Sequence, residues 1–103
     1  MNRELVLRER FLDSLLEIEA YLSQYIGSKK ARKFPNDVIG FISDIIVPNP
    51  YAFVQYESRF HENFNIRRAV FKKNYCIVYE VTDAKIDILN IYHTSRDPDE
   101  VLL

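Results

Sequence analysis

Three β-prone runs in the last third of the chain constrain the fold most: Ile66 to Lys72, Tyr75 to Thr82 and Lys85 to Thr94, joined only by Lys73-Asn74 and Asp83-Ala84. Linkers of that length are hairpin loops, so the three runs predict an antiparallel sheet. Upstream, Glu4-Leu5-Val6-Leu7 puts Leu5 and Leu7 on one face and reads as a short first strand. The period then changes. Phe11, Leu15, Ile18 and Leu22 recur at helical spacing, widened by Leu12, Tyr21 and Tyr25, and Gly27 closes that helix. Ser28 is an acceptable N-cap for a second helix that carries Ala31, Phe34, Val38, Phe41, Ile42 and Ile45 to Pro48. Pro35 falls inside it and deletes one backbone hydrogen bond, yet the apolar register runs on, which predicts one kinked helix. From Pro48-Asn49-Pro50 to Asn65 no period survives, and Tyr51, Phe53, Tyr56, Phe60 and Phe64 are expected to pin this stretch to the body. Together the elements predict an α+β fold, with helices layered on one face of a mainly antiparallel four-stranded sheet.

At 103 residues the chain is expected to form one domain, 1–103, large enough to fold without disulfides or metals. No apolar run approaches the roughly 18 residues of a membrane span, and Met1-Asn2-Arg3-Glu4 leads into no signal-type apolar block, so a soluble, cytoplasmic protein with no membrane partner is expected. A single cysteine, Cys76, rules out an internal disulfide, and two histidines far apart in sequence give no zinc spacing. No metal and no cofactor are expected. The formal net charge is −1, so any role with nucleic acid must rest on local clusters. Two exist: Lys29, Lys30, Arg32 and Lys33, and Arg67, Arg68, Lys72 and Lys73, diluted by Glu57, Glu62, Asp83, Asp87, Asp97, Asp99 and Glu100.

Each charged or titratable candidate has two readings. Strict alternation in the last strand places Asp87, Leu89, Ile91 and His93 on one face and Ile86, Ile88, Asn90, Tyr92 and Thr94 on the other. His93, at the strand's end, suits proton transfer or phosphate contact; a histidine satisfied by a backbone or carboxylate partner is the commoner case. Arg67 and Arg68 point to opposite faces, so at most one belongs to a cleft. Arg96 either pairs with Asp97, Asp99 or Glu100 or offers its planar fork to a phosphate. The Lys29 to Lys33 run opposes the dipole of the helix it opens; it either binds nucleic acid or an acidic peptide or, more commonly, is a solvated face. Tyr21, Tyr25, Tyr75, Tyr79 and Tyr92 can stack bases, though tyrosines at core spacing mostly pack. Cys76 reads as a small buried hydrophobe.

Ile66-Arg67-Arg68 opening one strand, Tyr75 followed by Ile77-Val78-Tyr79 in the next, and His93 with Arg96-Asp97-Pro98 after the last resemble, in order and spacing, the RelE/ParE toxin superfamily. The resemblance covers nearly the whole chain. It implies a RelE/ParE-like α+β fold and a bacterial type II toxin held inactive by a co-expressed antitoxin, whose tail wraps the toxin's helices and sheet.

Within that superfamily the RelE-like branch cleaves ribosome-bound mRNA. Arg67 and Arg96 stand where that branch has basic catalytic residues, with His93 as a further candidate. Ala69, Cys76 and Leu102 replace a lysine, an arginine and a C-terminal tyrosine of its pattern, and each such loss commonly costs about two to three orders of magnitude in rate. The ending His93-Thr94-Ser95-Arg96-Asp97-Pro98 is more similar to the ParE branch, whose members poison DNA gyrase by binding and need no catalytic constellation. The resemblance therefore implies a binding toxin more than an enzyme, with ribosome and mRNA as the alternative target and an inactive superfamily member as a third reading. The side chains expected to meet target or antitoxin are Lys29, Lys30, Arg32, Lys33, Arg68, Tyr75 and Arg96.

Overall fold

A computed structural model describes residues 2–60 and 65–103; Glu62 and Phe64, singled out above, lie outside them. The chain runs β1 (Glu4–Leu7), α1 (Glu9–Ile26), α2 (Ser28–Ala31), α3 (Lys33–Phe41), a π-helical turn (Ile42–Ile46), β2 (Ile66–Phe71), β3 (Tyr75–Val81), β4 (Lys85–His93) and a 3₁₀ turn (Pro98–Glu100). The strands form one sheet in the order β1-β4-β3-β2. The two hairpins are antiparallel as their short loops require, while β1 pairs with β4 in parallel, Glu4 opposite Lys85 and Leu7 opposite Ile88.

α1 starts where the Arg8 N–H bonds the Ile88 carbonyl, and Glu9 in its first turn complements the helix dipole. It ends at Gly27, whose φ of 82° suits a residue without a Cβ. Phe11 and Leu15 are buried, with Ile18 and Leu22 packed against the same core. Leu12, Tyr21 and Tyr25, expected to widen that stripe, are instead exposed, the tyrosines by 58% and 69%.

Ser28 caps nothing; it is the first helical residue, and Gly27 precedes it with no side-chain capping bond. The kink at Pro35 appears as the break between α2 and α3. Arg32 keeps helical dihedrals (φ −61°, ψ −23°), and the ladder is interrupted because Pro35 has no N–H to offer one turn back. Phe34, Val38, Ile42 and Ile46 then continue the buried stripe through the π turn.

The core between helices and sheet takes Ala69 and Phe71 from β2, Ile77, Tyr79 and Val81 from β3, and Ile86, Ile88 and Ile91 from β4. Ile88 and Ile91 share this face because strict alternation fails. Val78 pairs with Asn90 and Tyr79 with Ile88, so Leu89 is an extra residue without a partner on β3. Such a bulge flips every later side chain to the other face. Asn90 stabilises it: Oδ1 accepts from Ser14 Oγ (2.6 Å) and from the Ile91 N–H (2.8 Å), and Nδ2 donates to the Leu102 carbonyl (2.7 Å). One buried amide thus joins α1, the bulge and the C-terminal tail.

The second face of the sheet is covered in part by Tyr56 and by Val101, packed with Ile66, Cys76, Val78 and Tyr92. The irregular stretch after Pro48 is pinned less by its aromatics than by polar bonds. Tyr56 is buried and Phe53 half-buried, but Tyr51 and Phe60 are exposed. Gln55 bridges Arg67, the Tyr56 N–H bonds the Ile66 carbonyl, and the Tyr79 hydroxyl donates to the Pro50 carbonyl at 2.7 Å.

Candidate functional site

Arg67 and Arg68 leave β2 on opposite faces, as alternation requires. Arg67 is committed to the loop beneath it. Its Nη1 donates to the Phe53 carbonyl at 2.7 Å, and its guanidinium lies 5.1 Å from the Tyr51 ring centroid. Arg68 is exposed on the other face, near Cys76 and Tyr92. Burial pushes the Cys76 thiol up, against the lowering pull of Tyr92 and Arg68, so it is a packed, unreactive side chain. Burial likewise pushes the Tyr92 phenol well above its ordinary range.

His93 and Arg96 sit together beyond the end of β4, where the Arg96 N–H bonds the His93 carbonyl at 3.0 Å. The His93 Nδ1 accepts from the Ser95 N–H (3.1 Å) and lies 2.8 Å from the Ser95 hydroxyl. A backbone N–H can only donate, so in the neutral ring the proton sits on Nε2. The ring packs edge-on against Tyr75, centroids 5.7 Å apart, and Tyr75 in turn packs on Phe34 at 4.8 Å. Between these rings and α1 lies an open cleft of about 410 Å³, walled by Glu17, Ile18, Tyr21, Tyr75, His93 and Ser95.

Arg96 does not form the expected salt bridge among the described residues; its Nη2 reaches the Glu100 carbonyl oxygen at 3.4 Å. Asp99 is held by Arg59 instead, through its backbone N–H (2.7 Å) and its Nε (2.9 Å), with Ser58 Oγ at 3.1 Å. Those bonds, the backbone N–H first, hold the Asp99 carboxyl below its usual range. Arg96 also borders a second, polar cleft of about 490 Å³ between α1 and the tail, whose walls include Glu9, Arg10, Asp13, Glu17 and Glu100.

The three side chains that a cleavage reaction would need do not converge. Arg67 pairs with Tyr79, four residues along β3 from Tyr75, and Tyr75 is the residue opposite His93. At about 3.3 Å per residue and 4.8 Å per strand, Arg67 stands roughly 13 Å along and 10 Å across the sheet from His93.

What the fold does assemble are the two ends of the charge pattern. Lys29, Lys30, Arg32 and Lys33 are all exposed on α2 and the start of α3. Lys72 in the β2–β3 turn reaches Asp37 of α3 at 2.9 Å, which sets the hairpin tip beside that run. Lys72 and Lys73 thus part from Arg67 and Arg68 and join the other cluster. On α1, Leu12, Leu16 and Ile26 are exposed along one flank of the buried stripe, and Tyr21 and Tyr25 along the other.

A pair that sequence reasoning missed is Arg8 with Asp87. The Asp87 carboxylate is only 1% exposed, and Arg8 grips it through Nε and Nη2 at 2.6 to 2.9 Å; this contact, the hydrogen bond first, raises the Arg8 guanidinium further. It fixes the β1–β4 junction. The residues lie 79 positions apart, and no local motif links them.

The fold is similar to that of the chromosomal ParDE toxin–antitoxin system from P. aeruginosa, with a TM-score of 0.72 at 18% identity over 88% of this chain and 95% of that one. It is also similar to the conserved hypothetical protein HP0894 from Helicobacter pylori, with a TM-score of 0.57 at 17% identity over 91% of this chain and 97% of that one. No curated protein sequence matches the chain. The family model for the ParE toxin of type II toxin–antitoxin (parDE) systems matches residues 5–98, and the chain belongs to that family.

Proposed function

We propose that this toxin acts by binding, with DNA gyrase as its target, and that a cognate antitoxin neutralises it. The observation that carries the binding reading is the separation of Arg67 from His93 and Arg96. Arg67 gives its Nη1 to loop carbonyls, and general acid–base chemistry needs its groups within hydrogen-bond reach of one reacting atom. An antitoxin partner is supported by family membership and by the apolar surface of α1. Large apolar side chains left exposed on the flanks of a helix are a usual mark of a protein interface.

Cleavage keeps one foothold, since His93 and Arg96 share a turn beside an open cleft. A short induced pulse of the protein in a bacterial host, followed by mapping of mRNA 5′ ends, separates the two. Growth arrest with intact messages is expected. Codon-phased new ends inside translated regions, abolished by Arg96→Ala, would replace the binding reading with a ribonuclease.

A further inference from the structure

We propose that the row of exposed cations running from Lys29 to the tip of the β2–β3 hairpin is a docking surface for the phosphate backbone of duplex DNA. Lys29, Lys33 and Asp37 follow one another at helical spacing of four, so they share a face of the α2–α3 segment. Asp37 holds Lys72 at 2.9 Å, and Lys73 follows it in the turn. Lys30 and Arg32 widen the row. Six cations thus face one carboxylate on two adjacent elements of a chain whose total charge is −1, a segregation that creates a strong local field.

Two observations point to phosphates rather than to a protein surface. Between residues 28 and 34 and across the hairpin 71–74, no large apolar side chain is exposed: Ala31, Phe34 and Phe71 are buried. Protein interfaces are centred on aromatic and aliphatic anchors and are depleted of lysine, whereas backbone contacts to DNA need only cations. The exposed apolar residues lie beyond these segments, on α1, at Ile45 in the π turn, at Tyr51, Val54, Phe60 and Val70, and at Leu102.

The second observation is backbone strain. Lys72 (φ 49°) and Lys73 (φ 66°) both occupy the left-handed region, where asparagine and glycine are the favoured turn residues. Both side chains are exposed, so the turn carries two positive charges at the tip of the hairpin despite the cost of its dihedrals.

The proposal stands whichever protein is the target. Loss of DNA binding with gyrase inhibition intact would refute it alone, and the reverse would refute only the gyrase assignment. The test is a fluorescence-anisotropy titration of the full chain against a labelled mixed-sequence duplex across a salt series. With five cations free of Asp37, the slope of log K against log salt should be about −4.5, independent of sequence. Lys29→Gln/Lys30→Gln/Lys33→Gln should flatten it by about 2.7 and weaken binding about tenfold or more, while Arg10→Gln at the start of α1 leaves it unchanged.

Lys73→Gly separates charge from folding. It should flatten the slope by about 0.9 and at the same time raise the melting temperature, because glycine accepts the turn's dihedrals. A triple variant that binds as well as wild type, or binding without salt dependence, overturns the proposal. Tighter binding to single-stranded RNA of equal length overturns the assignment to DNA, and binding of polyglutamate in place of either overturns phosphate recognition altogether.

Discussion

Tyr79→Phe probes the contact that holds the loop after Pro48 onto the sheet. The Tyr79 side chain is fully buried, and its hydroxyl donates to the buried Pro50 carbonyl at 2.7 Å. Phenylalanine keeps the ring's packing and leaves that carbonyl dry without a donor, which costs about 1–3 kcal/mol. Burial also pushes the Tyr79 phenol up to about 12. A phenol raised in the folded state contributes stability that is fully present below its unfolded value near 10 and is lost as pH climbs through the folded value. At pH 11 that loss is roughly 1 kcal/mol for wild type and absent for the variant. Urea unfolding at pH 8 and pH 11 should therefore show a gap between the two proteins that narrows by roughly 1 kcal/mol at the higher pH. Tyr92 and Tyr56 are also raised by burial, but they titrate in both proteins and cancel in the difference. A gap near zero at pH 8, or one of equal size at both pH values, would refute the assignment of this hydroxyl as a buried donor.

Leu15→Ala empties a core position that is 4% exposed and should lower stability by about 2–5 kcal/mol in thermal or urea unfolding; a change near zero would mean that α1 does not pack through Leu15. Asn90→Ala orphans partners on α1, the bulge and the tail, and should cost at least about 1–3 kcal/mol, with faster proteolysis of the C-terminal tail as an independent readout. Lys73→Gly relieves a strained turn and should stabilise by about 1 kcal/mol, measured as a shift in urea midpoint. Asp99, whose carboxyl is held low by Arg59, contributes stability that is present above the ordinary carboxylate range and is lost as pH falls through its own lowered value. Asp99→Asn should remove that acid sensitivity, seen as equal cleavage of the 56–60 loop by pepsin-type proteolysis across the acid range.

The elements legible in the sequence were those whose signal is local. Hairpin-length loops fixed β2, β3 and β4 to within a residue or so, and the helical spacing of Phe11, Leu15, Ile18 and Leu22 located the buried stripe of α1. What escaped depended on contacts between distant segments. The parallel pairing of β1 with β4 joins residues about 80 positions apart, and nothing in Glu4–Leu7 names its partner. The bulge at Leu89 left no glycine signature, because an asparagine side chain satisfies the broken ladder, so the faces of Ile91 and Tyr92 were inverted. Tyr21 and Tyr25 have core spacing but fall on the flank of the helix that the sheet does not reach.

The candidate site followed the same division. That Arg67 and Arg68 diverge followed from strand geometry alone. That Arg67 is consumed by the Phe53 carbonyl was not legible, since a backbone acceptor in an irregular loop has no sequence mark. The two basic clusters were visible, but their regrouping, with Lys72 and Lys73 leaving the arginines to join Lys29 to Lys33, required the Asp37–Lys72 contact.

The most direct measurement is a gyrase supercoiling assay with the purified toxin, run with and without its antitoxin. Dose-dependent loss of supercoiling, reversed by the antitoxin and unaffected by Arg67→Lys, is the predicted result. Full supercoiling in the presence of a large excess of folded toxin would contradict the proposed target.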